Sequence, residues 1–512
     1  MKTKQLLLIS LILGLGLAAG AVLMLSQTPT AQAAGPWYVS PSGNNSDCLS
    51  WATACTTIDG ALNKASSGDT IHVGAGTYVE NVHIGKDIII QGAGAGSTFI
   101  DGSRSGPTIE VYQNYNLTIS GVTVRNGYRS GDGGGIFIRR DCTVQVADAT
   151  IFDNVATGSG GGIHMEMLST LTLSNTTVIS NSAGANGGGI NSTAPGGSLT
   201  IINSTISDNA ATLLGGGVYQ NAGTLTIEGS SIISNTSQNT GGGIAKSNGT
   251  MDIRKSVFAE NTSFSYGGGV YGSSGAMTIE DSTVRDNRLN SAGGRGGGIF
   301  SDAEMTLTNV TVAGNTSLDD GGGIHSQDPM TLTNVTVSGN TSGNGGGILH
   351  TGGSTMTLLN CTIVTNTIGA GGGPGGMRAY SPVSMRNTIV ANNESANCNV
   401  GGSLTSLGYN LESADTCGLN ATGDITNTNP LLGPLQDNGG TTVGLGEPTL
   451  THALLPKSPA INAGDPAFSP PPEYDQRGVG FPRVLYGRVD IGAYEVTVIL
   501  DHYVYLPLVL KD

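Results

Sequence analysis

The residues best suited to chemistry in this chain are few. They are one adjacent aspartate pair, Asp319 and Asp320, three histidines that each follow a run of glycines, His164, His325 and His350, and a set of cysteines. Two neighbouring carboxyls can drive their pKa values apart and so divide acid work from base work. That division needs an arginine, a lysine or a further acid on the same face, and the local sequence puts none beside Asp319 and Asp320. A solvated turn is therefore the expected setting. His325 and His350 stand one repeat apart but out of register by one residue, which predicts two exposed histidines rather than a joint site. His164 lies six repeats before His325, about 30 Å at strand spacing, so those two cannot share a metal ion. Cys48 and Cys55, seven apart, and Cys398 with Cys417 fit local disulfide-closed loops at either end. Cys142 and Cys361 are isolated and read as small buried thiols, and no cysteine has zinc-ligand spacing.

Whatever holds these residues is a repeat. A glycine block ends at Ile136, Ile163, Ile190, Val218, Ile244, Val270, Ile299, Ile324, Ile348 and Met377, with spacings of 24 to 29 residues. That period marks a solenoid. An Asn recurs once per repeat, at Asn154, Asn181, Asn209, Asn235, Asn261, Asn287, Asn315, Asn340 and Asn366. Three residues before it the position is apolar in every copy, as are the positions eight and ten before it. Alternation of this kind marks short strands, and a shift of parity between the eighth and fifth positions marks a corner. The glycine block with its following Ile is a third inward segment. Three strands per turn, stacked in parallel, make a right-handed parallel β-helix of about thirteen turns and about 60 Å in length. The Asn tolerates a left-handed corner and can bond its equivalents above and below as a ladder. Outward positions are mostly Thr, Ser and Asn, and Glu228, Arg254 and Glu280 alternate in sign on one outward row.

Composition excludes several classes. The 512 residues include 82 Gly, with 12% charged residues and a net charge of −15. That charge argues against a nucleic-acid partner. Lys2 and Lys4, the apolar run Leu6 to Leu25, and Ala31-Gln32-Ala33 predict a cleaved signal peptide over 1–33 and hence a secreted or cell-surface protein, an uncleaved anchor being the alternative. No later stretch is apolar enough to span a membrane. An N-terminal cap is expected over 34–68, where Ile58, Ala61, Leu62 and Ala65 have helical spacing. The β-helix then occupies 69–428, a small C-terminal domain 429–495, and a tail 496–512 that is either a sorting signal or a last strand.

Particular segments add a resemblance. The start, with Trp37-Tyr38-Val39-Ser40-Pro41 and Gly68-Asp69-Thr70-Ile71, resembles secreted pectate-lyase-like β-helix proteins. The Gly-block and Asn repeats are similar to polymorphic outer-membrane protein repeats, although only Phe258-Ala259-Glu260-Asn261 matches their Phe-x-x-Asn element. The segments Asn429 to Gly440, Thr451 to Pro456, Ser458 to Gly464, Asp475-Gln476-Arg477-Gly478 and Asp490 to Glu495 resemble the choice-of-anchor Q domain of bacterial surface proteins. That family implies an extracellular β-helix followed by an anchoring tail.

Polygalacturonase-like sites would show an Asn-Thr-Asp, an Asp-Asp and a Gly-His-Gly on successive turns, and no such set stands in register here. The glycine blocks lack the calcium-binding Gly-Gly-x-Gly-x-Asp pattern, so no cofactor is expected and calcium is not indicated. The expected role is an adhesive or structural stalk binding an extracellular polysaccharide or surface protein. A polysaccharide lyase or glycoside hydrolase, and an inert surface-layer spacer, stay open as alternatives.

Overall fold

A computed structural model describes residues 35–497 apart from 194, 370 and 445. The predicted signal peptide, and all of the tail beyond its first two residues, lie outside the described residues. The chain is a right-handed parallel β-helix built from three long sheets. Sheet I has 15 strands from Trp37–Val39 to Leu404–Ser406, sheet II has 14 from Gly76–Val79 to Leu411–Glu412, and sheet III has 13 from Val82–Ile84 to Cys398–Val400. One turn runs Ile163–Met165 in sheet III, Thr170–Ser174 in sheet I and Thr177–Ile179 in sheet II. A two-residue strand such as Ser182–Ala183 then follows in a minor fourth sheet, which the sequence pattern did not reveal.

Inward residues of each strand form one continuous core from Trp37 to Leu419. The register passes from turn to turn without slippage, as in Leu171 beside Leu199 and Leu225. One side chain per turn locks that register. Asn181 Oδ1 accepts from the backbone N–H of Asn154 and from its amide, both at 3.0 Å, while Asn181 Nδ2 reaches Asn209 Oδ1 at 3.0 Å. The same bonds run through Asn154, Asn181, Asn209, Asn235, Asn261, Asn287, Asn315, Asn340 and Asn366, and continue into Asn393. Every polar atom of this buried ladder gains a partner, which is the condition for burying amides at all. The glycine block owes its composition to the ladder. A Cβ on Gly162 would stand 2.6 Å from the Gly189 carbonyl and 3.1 Å from the Asn181 amide, and Gly160 turns the chain at φ +72.

At the N-terminal end, the helix Ile58–Lys64 buries Ile58, Ala61 and Leu62 over the first turn, and Thr57 caps it by accepting from Gly60 N–H. Disulfides join Cys48 to Cys55 and Cys398 to Cys417, while Cys142 and Cys361 are free and buried. No helix among the described residues is long and apolar enough to cross a membrane.

After residue 428 the chain doubles back along the side of the β-helix. The antiparallel hairpin Leu432–Val443 and Glu447–Leu454 lies on the outer face of sheet II. Val443 packs with Val257 and Ala259, and Leu454, Ala460 and Ile491 pack with Val364, Ile389, Ala391 and Leu411. Arg477 holds this strap together. Its guanidinium is clamped between the Phe481 and Tyr494 rings, at 3.8 and 3.9 Å, and bonds both oxygens of fully buried Asp475.

Candidate binding face on the glycine-block sheet

Each sheet III strand has three residues, and the middle one points out of the core. Paired turn by turn, these residues form the row Phe137, His164, Asn191, Tyr219, Ala245, Tyr271, Phe300, His325, Leu349 and Arg378. The loop before each glycine block folds beside the row, so that Gly160 and Gly321 close on the Cβ atoms of His164 and His325. This loop supplies a second row, Leu214, Thr240, Tyr266, Arg295, Asp320 and Asn344. Together they make a face of aromatic, amide and charged groups running along the axis.

Two places on it repeat one arrangement. In the first, the Arg129 guanidinium sits 3.9 Å over Phe137, whose ring lies 5.4 Å from His164 on the next turn. Asp132 approaches His164 Nε2 at 4.0 Å, and Asn191 Nδ2 meets its Nδ1 at 3.0 Å. In the second, six turns on, Phe300 lies 5.1 Å from His325, and Arg295 pairs with Asp320 at 3.7 Å. Here the ring stack is extended backward by Tyr271, parallel to Phe300 with centroids 5.6 Å apart, and by Tyr266. A hydrogen-bonded chain carries the second arrangement outward. Asn344 donates to Asp320 at 3.0 Å, and Arg378 donates to Asn344 Oδ1 at 2.6 Å. Arg378 itself lies 4.9 Å over the Tyr380 ring.

These positions correct two expectations. The histidines are not exposed: His164, His325 and His350 are all buried. Because His325 pairs with Leu349 and His350 with Ser326, the one-residue offset puts the two on opposite faces of sheet III. His350 points into the core and holds the following corner through the Ser354 carbonyl at 2.8 Å, as Gln220, Ser301 and Ser326 hold theirs, while Lys246 reaches back to the Gly223 carbonyl of the preceding turn's corner. Burial pushes His164 down to about 4, and burial, then the Arg295 charge, pushes His325 down to about 3. Both are neutral rings at physiological pH and serve as spacers in the stack, not as acids. The aspartate pair also differs from expectation, since the preceding turn brings Arg295 to Asp320. Asp319 stays exposed and accepts from the Gly293 N–H at 3.1 Å.

Most of the first row is buried, and the partly exposed members of the face are Leu214, Tyr266, Tyr271, Arg295, Asp320, Asn344 and Arg378. The Tyr219 hydroxyl reaches Ser247 at 3.2 Å, and Tyr271 lies against Ser273. Stacked along the axis, the rings offer their edges outward rather than their faces. Among the described residues, neither Arg129 nor Arg378 has a carboxylate within ion-pair distance, and no three His, Cys, Asp or Glu side chains converge as a metal-ligand set. Burial raises the Asp302 carboxyl, and Asp328 adds to the effect. Reading the histidines alone missed the row they belong to. The available signal was the residue one place after each glycine-block Ile, Val or Met, an aromatic ring or an arginine in seven of the ten copies named above.

A family model described as a right handed beta helix region matches residues 134–317. Among solved structures, the chain is similar to pectate lyase Pel9A at 16% identity, covering 90% of this chain and 96% of that one with a TM-score of 0.34. It is similar to a rhamnogalacturonan lyase at 12% identity, covering 73% and 87%, TM-score 0.27. It is also similar to the A-module of the Azotobacter vinelandii mannuronan C-5 epimerase AlgE6 at 14% identity, covering 70% and 84%, TM-score 0.20. Likeness at this level bears on neither the site nor its chemistry. No curated protein sequence matches the chain.

Proposed function

We propose that this protein is an extracellular stalk that holds a glycan along the outer face of sheet III without cleaving it. The observation that carries this reading is the duplicated Phe–His stack, flanked each time by an arginine and an aspartate, six turns or about 30 Å apart. Between the two lies a strip of hydroxyl and amide groups, including Tyr219, Asn221, Ser247 and Ser273. Repeated weak contacts along a rigid axis favour an extended, repeating ligand over a compact one, because each further contact is made at high effective concentration. Arg129 and Arg378 give the ends of the strip directional donors on a protein of net charge −15.

The two histidines at the stacks are neutral and buried, so the reading asks them to build the surface and assigns them no proton transfer. The test incubates the purified protein with a panel of neutral and uronic polysaccharides, scoring retained protein and newly released chain ends. Retention without new reducing or unsaturated ends is expected. Release of such ends, lost on replacing Asp302 or Asp320, would establish a lyase or hydrolase instead. Neither retention nor cleavage would leave an inert spacer.

A further inference from the structure

A second site lies between the β-helix and the strap, on the opposite side of the molecule's chemistry from the stacked row. Its first clue is a broken pattern. The corner that leads into sheet II adopts a left-handed conformation in turn after turn, through Gly121, Asp148, Asn175, Asn203, Gly229, Lys255, Asp281, Asn309, Asn334, Asn360, Asn387 and Tyr409. Asn, Asp and Gly are the residues that reach this conformation most cheaply. Lys255, at φ +47, and Tyr409, at φ +57 on the last turn, are the exceptions; Tyr409 lies under the Arg488 guanidinium, whereas Lys255 has no such partner among the described contacts. An outlier of this kind points toward a use for the side chain.

The use is visible in its surroundings. Lys255 lines a solvent-open cavity of about 500 Å3 together with Asp281, Asn309, Thr441, Tyr474 and Arg477. That volume lies within the range of small-ligand sites, which favour the junctions between structural units. The strap grips the Lys255 backbone, whose carbonyl accepts from the Gly444 N–H at 2.8 Å. The side chain is exposed and, among the described residues, has no carboxylate at ion-pair distance. Its neighbour Arg254, by contrast, pairs with Asp252 at 3.0 Å and Glu280 at 3.5 Å. The other cation of the cavity, Arg477, is already committed to Asp475, to the Asn438 and Glu495 carbonyls and to two rings. Lys255 is therefore the cavity's uncommitted charge. Asp281 beside it takes only the Asn309 amide, at 2.9 Å, and keeps acceptor capacity.

We infer that this cavity binds a sugar acid of one or two residues, its carboxylate on Lys255 and its hydroxyls on Asp281 and Asn309. A single ammonium matches a monoanion, and the adjacent Asp281 carboxylate repels a dianion such as phosphate while accepting hydroxyl donors. The site is separate from sheet III and stands whether or not that face binds a polymer.

Isothermal titration of the full-length protein with glucuronate, glucose and inorganic phosphate tests it. Saturable glucuronate binding is expected, with glucose and phosphate at least tenfold weaker. Lys255→Asn installs the commonest residue of this corner, so it should leave the melting temperature unchanged and weaken glucuronate at least tenfold. Asp281→Asn should weaken it less, and Arg378→Ala on sheet III should leave it unaltered. The inference is overturned by the absence of saturable binding, by phosphate binding equal to glucuronate, or by undiminished binding in Lys255→Asn.

Discussion

Sheets II and III are made by the same turns of the same repeat, yet their outer faces have opposite characters. From Val257 onward, the outward residues of sheet II are mostly small or uncharged: Val257 and Ala259, Thr311 and Ala313, Thr336 and Ser338, Thr362 and Val364, Ile389 and Ala391, with Arg285 the charged exception, paired to Glu447 of the strap. The strap lies on them and buries all but Arg285. In earlier turns Thr150, Phe152, Thr177 and Ile179 occupy the same positions and remain partly or fully exposed. Sheet III instead carries rings, arginines and amides outward along its length. A solenoid fixes where its outward positions stand and leaves their identity free, so the residues chosen record what each face meets. Small residues record a permanent cover that belongs to the same chain. On sheet III the row is also mostly buried, but beside the loops of its own turns, and it keeps Tyr271 and Arg378 partly exposed.

The strongest way to break this contrast is to remove the cover. Truncation after Thr428 exposes Val257, Val364, Ile389 and Ala391 and deletes Val443, Leu454, Ala460 and Ile491 from their clusters. At about 1.5–3 kcal/mol for each large apolar side chain returned to water, the loss exceeds about 5 kcal/mol. Because repeats unfold with their neighbours, the damage should spread through the turns between Val257 and Leu411 and spare the N-terminal ones. Hydrogen exchange resolved by turn measures this, and uniform protection after truncation would contradict it.

A smaller change strikes the strap's own anchor. Asp475→Ala leaves Arg477 buried between two rings with no counter-ion. Stranding one member of a buried pair costs about 3–5 kcal/mol. Denaturant unfolding should report that loss, with exchange quickening first in the hairpin Leu432–Val443 and Glu447–Leu454.

The two faces should also respond to pH with opposite sign. In the strap, burial raises the Glu495 carboxyl to about 8. Its folded value exceeds its unfolded one, so its contribution is complete below about 4.5 and is lost as pH rises toward 8. On sheet III, burial lowers His164 to about 4 and His325 to about 3. Their contribution is complete above 6.5 and is lost as pH falls through those values. Glu495→Gln should flatten the alkaline limb of the stability profile, and His164→Asn should flatten the acid limb. Either substitution acting on the other limb would break the assignment.

Much of the scaffold was legible in the residue pattern and less of the faces. The glycine block, the Asn and the apolar positions before it repeat because every turn meets the same neighbours above and below, and a periodic environment writes a periodic sequence. The Cys48–Cys55 and Cys398–Cys417 bridges are short-range and so lay near one another in the chain as well as in space. The strap left no such trace, because Val443 meets Val257 and Gln476 meets Thr311 across gaps without a period. Nor did the sequence show Arg129 on Phe137 or Arg295 on Asp320, since contacts between turns depend on loop lengths that vary from repeat to repeat.

The smallest stability effects make the sharpest functional test. Arg285 and Arg378 are arginines on the two contrasted faces. Arg285 is paired by two oxygens of Glu447 at the strap's edge, at 2.9 and 3.0 Å, and Arg378 is bonded only to the Asn344 amide among the polar contacts described. Partly exposed pairs of this kind are worth about 0–1 kcal/mol, so neither Arg285→Ala nor Arg378→Ala should shift unfolding by more. Their consequences for ligand retention should nonetheless differ. Arg285 has spent its donors on the chain's own cover, and its loss should leave polysaccharide retention unchanged. Arg378 has donors to spare beside an aromatic ring at the end of the open row, and its loss should weaken retention severalfold at low ionic strength and less in high salt, where charge contributes little. Equal retention by both variants would mean that the open face, for all its unlike composition, is not where a polymer lies.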